Sequence, residues 1–346
     1  MRRICRLCAI CSCVVALLIA ASCTSTQELA NDVSIIHAED TVKQSLWCDS
    51  AYLSENYLDD KYPIGEIIGF TTIGNNGYLL DDNKAVTCIN TVNGDLKWQK
   101  RQLGHAQYEM LQPVCLTSDS LFLYVYDLGK RCIMCYDSAM VFKKAVKVPE
   151  LLPSAIQKVD NGFLCYSDAS RRVDFMNNQG KVKYSRIISE INPTLKSVRQ
   201  TFIRNLRGEV FVNGLYSDTI FIWKGQQLRP YYVVDFGKNK IPDPKLTAYK
   251  INTGGYRYAC NFFVGNRDVV VSFLDQYLRY VSYQESRNAS KLDSASKNKG
   301  WLYYPQWQSG GNLYSFQDKS IFSHLKGIKE RVPGNTQFIM MEYAMK

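Results

Sequence analysis

The residues of this 346-residue chain that could do chemistry are twelve cysteines, three histidines and a scatter of carboxylates. Cys132-Ile133-Met134-Cys135 has the CxxC spacing of a redox dithiol or of half a metal site. It lies in Arg131 to Tyr136, which reads as a strand, so its two thiols are expected on opposite faces as buried structural residues. Apart from Cys5, Cys8 and Cys11 in the N-terminal segment read below as a signal, no second CxxC and no nearby histidine completes a zinc site. His37, His105 and His324 each lack a ligand partner at i+3 to i+5, so no metal and no cofactor is predicted. There is no G-x-S-x-G elbow, P-loop or H-E-x-x-H. The candidate ligand-binding group is Arg101, His105 and Glu109, which share one loop of mixed charge. The alternative there is that Gly104 and Glu109 only fix the turn. Asp218-Thr219 reads as a pair bonding backbone groups at a strand start. Trp301, Tyr303, Tyr304 and Trp307 could stack on a sugar or a protein partner, or pack between the fifth and sixth repeats.

The elements that must position these residues are short strands in a repeated phrase. A turn leads into an apolar run at Asn76-Gly77-Tyr78, Asp119-Ser120-Leu121, Asn161-Gly162-Phe163, Arg207-Gly208-Glu209, Arg267-Asp268-Val269 and Gly310-Gly311-Asn312. The copies recur about every 42 to 46 residues, with one interval of about 59, a period in the range of propeller blades. Within a copy, a polar break and a second turn follow, as in Val92-Asn93-Gly94-Asp95, where Asn-Gly signals a hairpin. A unit of this size cannot bury both faces of its sheet alone, so neighbours must stack around an axis. The expected fold is all-β, a single six-bladed propeller of antiparallel meander blades. Segments 35–48 and 337–343 are expected to complete one blade together and close the ring. The stretches 149–153 and 242–250 read as connections, and the polar stretch 283–300 as a long loop.

Residues 1–22 read as an export signal. Arg2, Arg3 and Arg6 precede an apolar run of about 12 residues, too short to span a bilayer. Ala20-Ala21-Ser22 then runs into Cys23, and small residues ending at a cysteine resemble the lipobox of bacterial lipoproteins. Ordinary cleavage after Ser22 is the alternative. The domain plan is a signal over 1–22, a lipidated Cys23 with a tether over 23–34, and the propeller over 35–346. The formal charge of +10 falls to about +7 once the signal is removed, and the basic residues are scattered with no nucleic-acid motif. A solvated basic surface is therefore expected rather than a nucleic-acid partner. After the signal and Cys23, an odd seven cysteines remain, which is not a disulfide framework.

Tyr216-Ser217-Asp218-Thr219-Ile220-Phe221, followed by Leu228-Arg229-Pro230-Tyr231-Tyr232 and Val233-Val234-Asp235-Phe236-Gly237-Lys238, resembles the six-bladed β-propeller lipoproteins of Bacteroides-type bacteria. The loop Leu103 to Glu109 matches that family's glycine-rich loop at Gly104 and Glu109. The resemblance implies a six-bladed propeller on a lipid tether, in a family whose molecular function is largely undefined.

The expected function is a non-enzymatic, monomeric cell-envelope lipoprotein, membrane-anchored through Cys23 and favouring the outer membrane. It would present one propeller face to an envelope protein or a glycan. The alternative is a hydrolase or lyase acting on a glycan or small ligand at the channel mouth, because separate blades can bring distant residues together there.

Overall fold

The structure is a computed structural model that describes residues 34–37, 54–59, 62–101, 104–191, 199–243, 245–265, 269–274, 280–285, 306–318 and 335–344. Two strands lead, β1 (Ser34–His37) and β2 (Ser54–Asp59). The first sheet follows, with β3 (Ile67–Ile73), β4 (Asn76–Asp81), β5 (Val86–Asn90) and β6 (Leu96–Lys100). The second comprises β7 (Pro113–Ser118), β8 (Phe122–Asp127), β9 (Cys132–Asp137) and β10 (Phe142–Lys147). The third comprises β11 (Ala155–Val159), β12 (Gly162–Ser167), β13 (Arg172–Asn177) and β14 (Val182–Ile187). The fourth holds β15 (Phe202–Arg204), β16 (Val210–Asn213), β17 (Thr219–Lys224) and β18 (Gln227–Asp235), with β1 added in parallel on β18. Then come the sheet of β19 (Ala259–Val264), β20 (Val269–Leu274) and β21 (Tyr280–Glu285), and that of β22 (Trp307–Ser309), β23 (Asn312–Asp318) and β24 (Thr336–Ala344), with β2 outside β24.

This is an all-β propeller of antiparallel meanders. The repeated phrase opens the second strand of each sheet, where strict alternation does the packing. Tyr78 and Leu80 of β4 face the second sheet, while Leu79 between them faces the sheet of β22–β24. The pleat sends successive side chains to opposite neighbours, so each middle strand is buried on both sides. Each such side chain contributes about 1.5–3 kcal/mol on burial. Cys132 and Cys135 follow the same rule, one in the core between the first and second sheets, the other in the core between the second and third. Burial raises the pKa of both thiols, pushes Cys88 up to about 11, and pushes Cys115 and Cys165 up as well. Thiols held protonated in this way are poor nucleophiles and poor metal ligands.

Two expectations are corrected. Five blades are complete among the described residues, and the sheet of β19–β21 has three strands rather than the four of a full sixth blade. Segment 286–300 lies outside the described residues. The strand beside β24 is β2, not segment 35–48. Residues 34–37 instead continue the fourth sheet, with Ile35 opposite Val233 and Ile36 opposite Val234, a match of β-branched residues.

The first strands line the axis and are tied to each other by side chains. Thr71 Oγ1 and Ser118 Oγ are 2.7 Å apart, and Thr72 Oγ1 and Ser309 Oγ 2.8 Å. The Gln308 amide clamps Val264, accepting from its N at 2.9 Å and donating to its O at 2.8 Å. Gln200 Nε2 donates to Gln308 O at 2.8 Å, so the fourth sheet's lead-in meets the last sheet at the axis. No helix among the described residues is long and apolar enough to cross a membrane.

Candidate functional site

The face that carries the turns between second and third strands, together with the connections between sheets, is built on a repeated junction. A buried polar residue ends the second strand. Asp81 accepts from Gly65 N at 3.0 Å and Ala85 N at 2.8 Å. Asp127 accepts from Leu111 N, from Gln112 N at 3.1 Å and from Lys130 N at 2.8 Å. Each carboxylate thus holds both its own turn and the incoming connection. The turns include a non-glycine residue at positive φ: Lys84 (67°), Arg131 (49°), Arg171 (56°) and Tyr216 (64°). At two of these the side chain pins the outgoing connection. Arg131 Nη1 donates to Pro149 O at 3.3 Å, and Arg171 Nη1 donates to Glu190 O.

The fourth sheet breaks the pattern. Its second strand ends in Asn213, whose Nδ2 donates to Ser217 O at 3.2 Å and Thr219 O at 2.9 Å. Asp218 stands where Arg131 and Arg171 stand, its O accepting from Val234 N as theirs accept from Val148 N and Ile188 N, while Tyr216, the turn's positive-φ residue two positions earlier, packs edge-on against Tyr258 at 4.6 Å. After β18 the chain makes a 3-10 turn at Gly237–Asn239 and a short helix, α1 (Ala248–Thr253), before β19. The Thr247 side chain caps α1 by accepting from Lys250 N at 3.4 Å. Fully buried Ile251 ties the excursion to Ile191, Leu215, Tyr216 and Tyr258.

Between this excursion and the third sheet's turn lies a cleft of about 680 Å³, within the size range of ligand pockets. Its polar wall includes Arg171, Glu190, Ser217, Asp218, Lys240 and Arg257, and its apolar wall includes Tyr216, Phe221, Phe236 and Tyr258. Lys240 Nζ pairs with Asp218 Oδ2 at 2.8 Å, which raises the lysine's pKa, and Thr219 Oγ1 donates to Asp218 Oδ1 at 2.9 Å. Arg171 Nε is buried and has no hydrogen-bond partner among the described residues.

The loop expected to carry a site is turned inward on itself. Glu109 accepts from Ala106 N at 3.0 Å, and its Oε2 lies 2.0 Å from where a Cβ on Gly104 would sit, so a side chain there would have to displace the carboxylate. Lys130 Nζ donates to the carbonyls of Ala106 and Glu109. Arg101 and His105 are exposed, and no contact of either with Glu109 is found among the described residues. Cys23 and His324 lie outside the described residues, as do Trp301, Tyr303 and Tyr304. Trp307 is buried in the core between the last sheet and the first, not between the fifth and sixth units. Among the described residues, no group of three or more His, Cys, Asp or Glu could hold a metal ion.

Asp218 was legible as a strand-start residue, yet its carboxylate turns to Lys240 and the cleft rather than to backbone. Lys240 and Arg257 carried no local signal, since they reach the cleft through the excursion. The visible hint was the long interval itself, which holds two features: the excursion before β19 and the stretch after β21.

No family model matches the sequence, and no curated protein matches it significantly. Solved structures do share the fold. An exported protein of Bacteroides fragilis superposes with a TM-score of 0.60 at 12% identity, covering 91% of this chain and 99% of that one. A member of the DUF4221 family from Bacteroides vulgatus superposes with a TM-score of 0.51 at 10% identity, covering 89% of this chain and 98% of that one. At these identities the likeness is one of fold, an all-β propeller similar over its length to propeller-like proteins of Bacteroides.

Proposed function

We propose that this protein is an exported, non-enzymatic binding module of the cell envelope, tethered through Cys23, that holds its ligand in the cleft beside the fourth sheet. The observation that carries this reading is the cleft itself, where a regular junction is replaced by a cavity with mixed polar and aromatic walls. Its hydroxyl–carboxylate pair, Thr219 Oγ1 to Asp218 Oδ1, is tied up structurally, because the same carboxylate is held by Lys240. Side chains of the first strands at the axis are engaged with one another or with backbone: Thr71 with Ser118, Thr72 with Ser309, Gln308 with Val264, and Lys158 and Arg204 with strand carbonyls. The exposed Arg101 and His105 lie on the same face and would extend a basic rim towards a larger partner. The β2–β24 pairing and the Gln308 clamp support a closed ring as the rigid mount.

The test is a crosslinked pull-down of native tagged protein from envelopes, run beside a Lys240→Glu/Arg257→Glu variant of equal thermal stability. A stoichiometric partner lost in the variant is expected, and a partner retained at full yield would remove the cleft from the function. Cys23→Ser should abolish fatty-acid labelling, and persistent labelling would refute the anchor.

A further inference from the structure

We infer that the outer wall of the first three sheets binds a linear anionic polysaccharide, on a surface separate from the cleft. The outer strands β6, β10 and β14 belong to sheets that share cores, so they follow one another around the rim. Together they hold seven lysines and arginines, two on β6, three on β10 and two on β14, and no aspartate or glutamate. These cations are far apart in sequence, yet the fold gives three of them one repeated position. Each outer strand carries a β-bulge opposite the last residues of the third strand, before Asn90, Asp137 and Asn177. The extra residue is a lysine each time: Lys97, Lys143 and Lys183. A bulge re-aims the side chain it carries. All three lysines are exposed, as are Lys144 and Lys147 on β10. Lys143 pairs with Asp137 at 2.8 Å and Lys97 donates to Asn76 Oδ1, both at the surface, where a ligand can compete.

Charge on an edge strand guards it against pairing with other chains, but a mixture of signs would serve that end as well. The single sign and the common position match an anionic partner. Blades radiate from an axis, so the three strands face outward in successive directions. A flat bilayer therefore meets one of them at a time, and a stiff duplex cannot follow the curve. The aromatics of these strands, Trp98, Phe142 and Tyr184, pack into the inter-sheet cores rather than offering a platform to unpaired bases. Among the described residues β6, β10 and β14 each end their sheet. An acidic peptide would draw affinity from pairing with such an edge, and each bulge interrupts that ladder. A sugar chain needs no ladder: its acid groups meet the lysines. Its hydroxyls, which both donate and accept, suit the N–H and C=O groups that the edges present.

The experiment is calorimetric titration of the native full-length protein in detergent with polygalacturonate, its methyl ester and polyglutamate of equal length. Polygalacturonate is expected to bind at least about tenfold more tightly than either, with the affinity falling as salt rises. Lys97→Gln/Lys143→Gln/Lys183→Gln should weaken it by at least about tenfold and flatten the salt dependence. Lys224→Gln/Lys245→Gln/Lys250→Gln removes the same charge from exposed positions elsewhere and should weaken it by less than about twofold. If the first variant unfolds at lower temperature, Lys144→Gln/Lys147→Gln gives a second reading on the same wall, with a loss of at least about threefold. Equal losses from the wall variants and the distant one would reduce the effect to net charge and overturn the inference. So would equal affinity for acid and ester, equal or tighter binding of polyglutamate, or no binding of polygalacturonate. These outcomes leave the cleft untouched, since its partner is tested by the Lys240 and Arg257 changes above.

Discussion

The junctions after the second and third sheets differ from the junction after the fourth in the side chain that heads the third strand and in the length of chain that follows. In the first two, an arginine at positive φ donates to the carbonyl of the next connection, and the chain proceeds without an excursion. In the third, Asp218 takes that position and pairs with Lys240, the Tyr216 ring two residues earlier turns to Tyr258, and the excursion shares a small core with Ile191 and Leu215 around Ile251. The lesson is that a propeller face can be opened locally by withdrawing one pin, while the strands beneath keep their register. Asn213 stands where the first two sheets carry Asp81 and Asp127 and still binds the turn it ends, so the mount survives where the surface changes.

The comparison can be broken most severely at a regular junction. Asp127→Ala leaves three amide groups without their acceptor and is expected to destabilise by about 3–5 kcal/mol, read from urea unfolding with the fold monitored by circular dichroism. A change below 1 kcal/mol would mean that the carboxylate is not the hub of the junction. Next in size, Ile251→Ala removes the centre of the excursion and should cost roughly 3 kcal/mol. Because the excursion borders the cleft, capture of the envelope partner should fail in this variant even at temperatures where the strands remain folded.

Tyr216→Arg would place an arginine at the positive-φ position of this turn, beside the excursion. It loses the edge contact with Tyr258, so about 1–2 kcal/mol of stability is expected to go, with a larger relative loss of partner capture. Undiminished capture would show that the tyrosine does not keep the cleft open. The smallest effect belongs to Lys240→Ala, because the lysine is 57% exposed and its pair with Asp218 is solvent-screened, which limits the change to about 0.5 kcal/mol. Its pKa is raised in the fold, so the pair's contribution is complete below pH 10.5 and is lost as pH rises through the higher folded value. Alkaline titration of the native protein beside Lys240→Ala should therefore converge above that range.

The strands were the most legible part of the chain, because their signals are local. Val210 to Asn213 was read as a strand and is β16, and Val92-Asn93-Gly94-Asp95 was read as the turn between β5 and β6, which it is. The opposite thiols of Cys132 and Cys135 followed from the same period of two. What escaped was set by distant partners. β2 is the polar run Ser-Glu-Asn-Tyr-Leu-Asp, and it becomes a strand by pairing with β24. β1 pairs in parallel, which requires no turn and so leaves no mark in the sequence. Helix α1 has six residues, too few for periodicity to speak, and Ile251 holds it in place. In the candidate loop, Gly104 and Glu109 were legible as a pair because they are close in sequence. The cleft was not, because Arg171, Asp218 and Arg257 come from three separate connections.

The sheet of β2 and β24 has a consequence for the time at which this molecule becomes a fold. Its two ends are joined again by Gln337, whose side chain bonds Ile64 N at 3.1 Å and Ile64 O at 2.6 Å across 273 residues of chain. Contacts between such distant segments form late, since the loop must close before they are rewarded. Until β24 has been synthesised, β2 has no neighbour, and the apolar flank of the first sheet around Leu79 and Phe70 is without its cover. A nascent chain of this design stays unfinished until nearly all of it has emerged, a state in which it can still be threaded through a narrow passage.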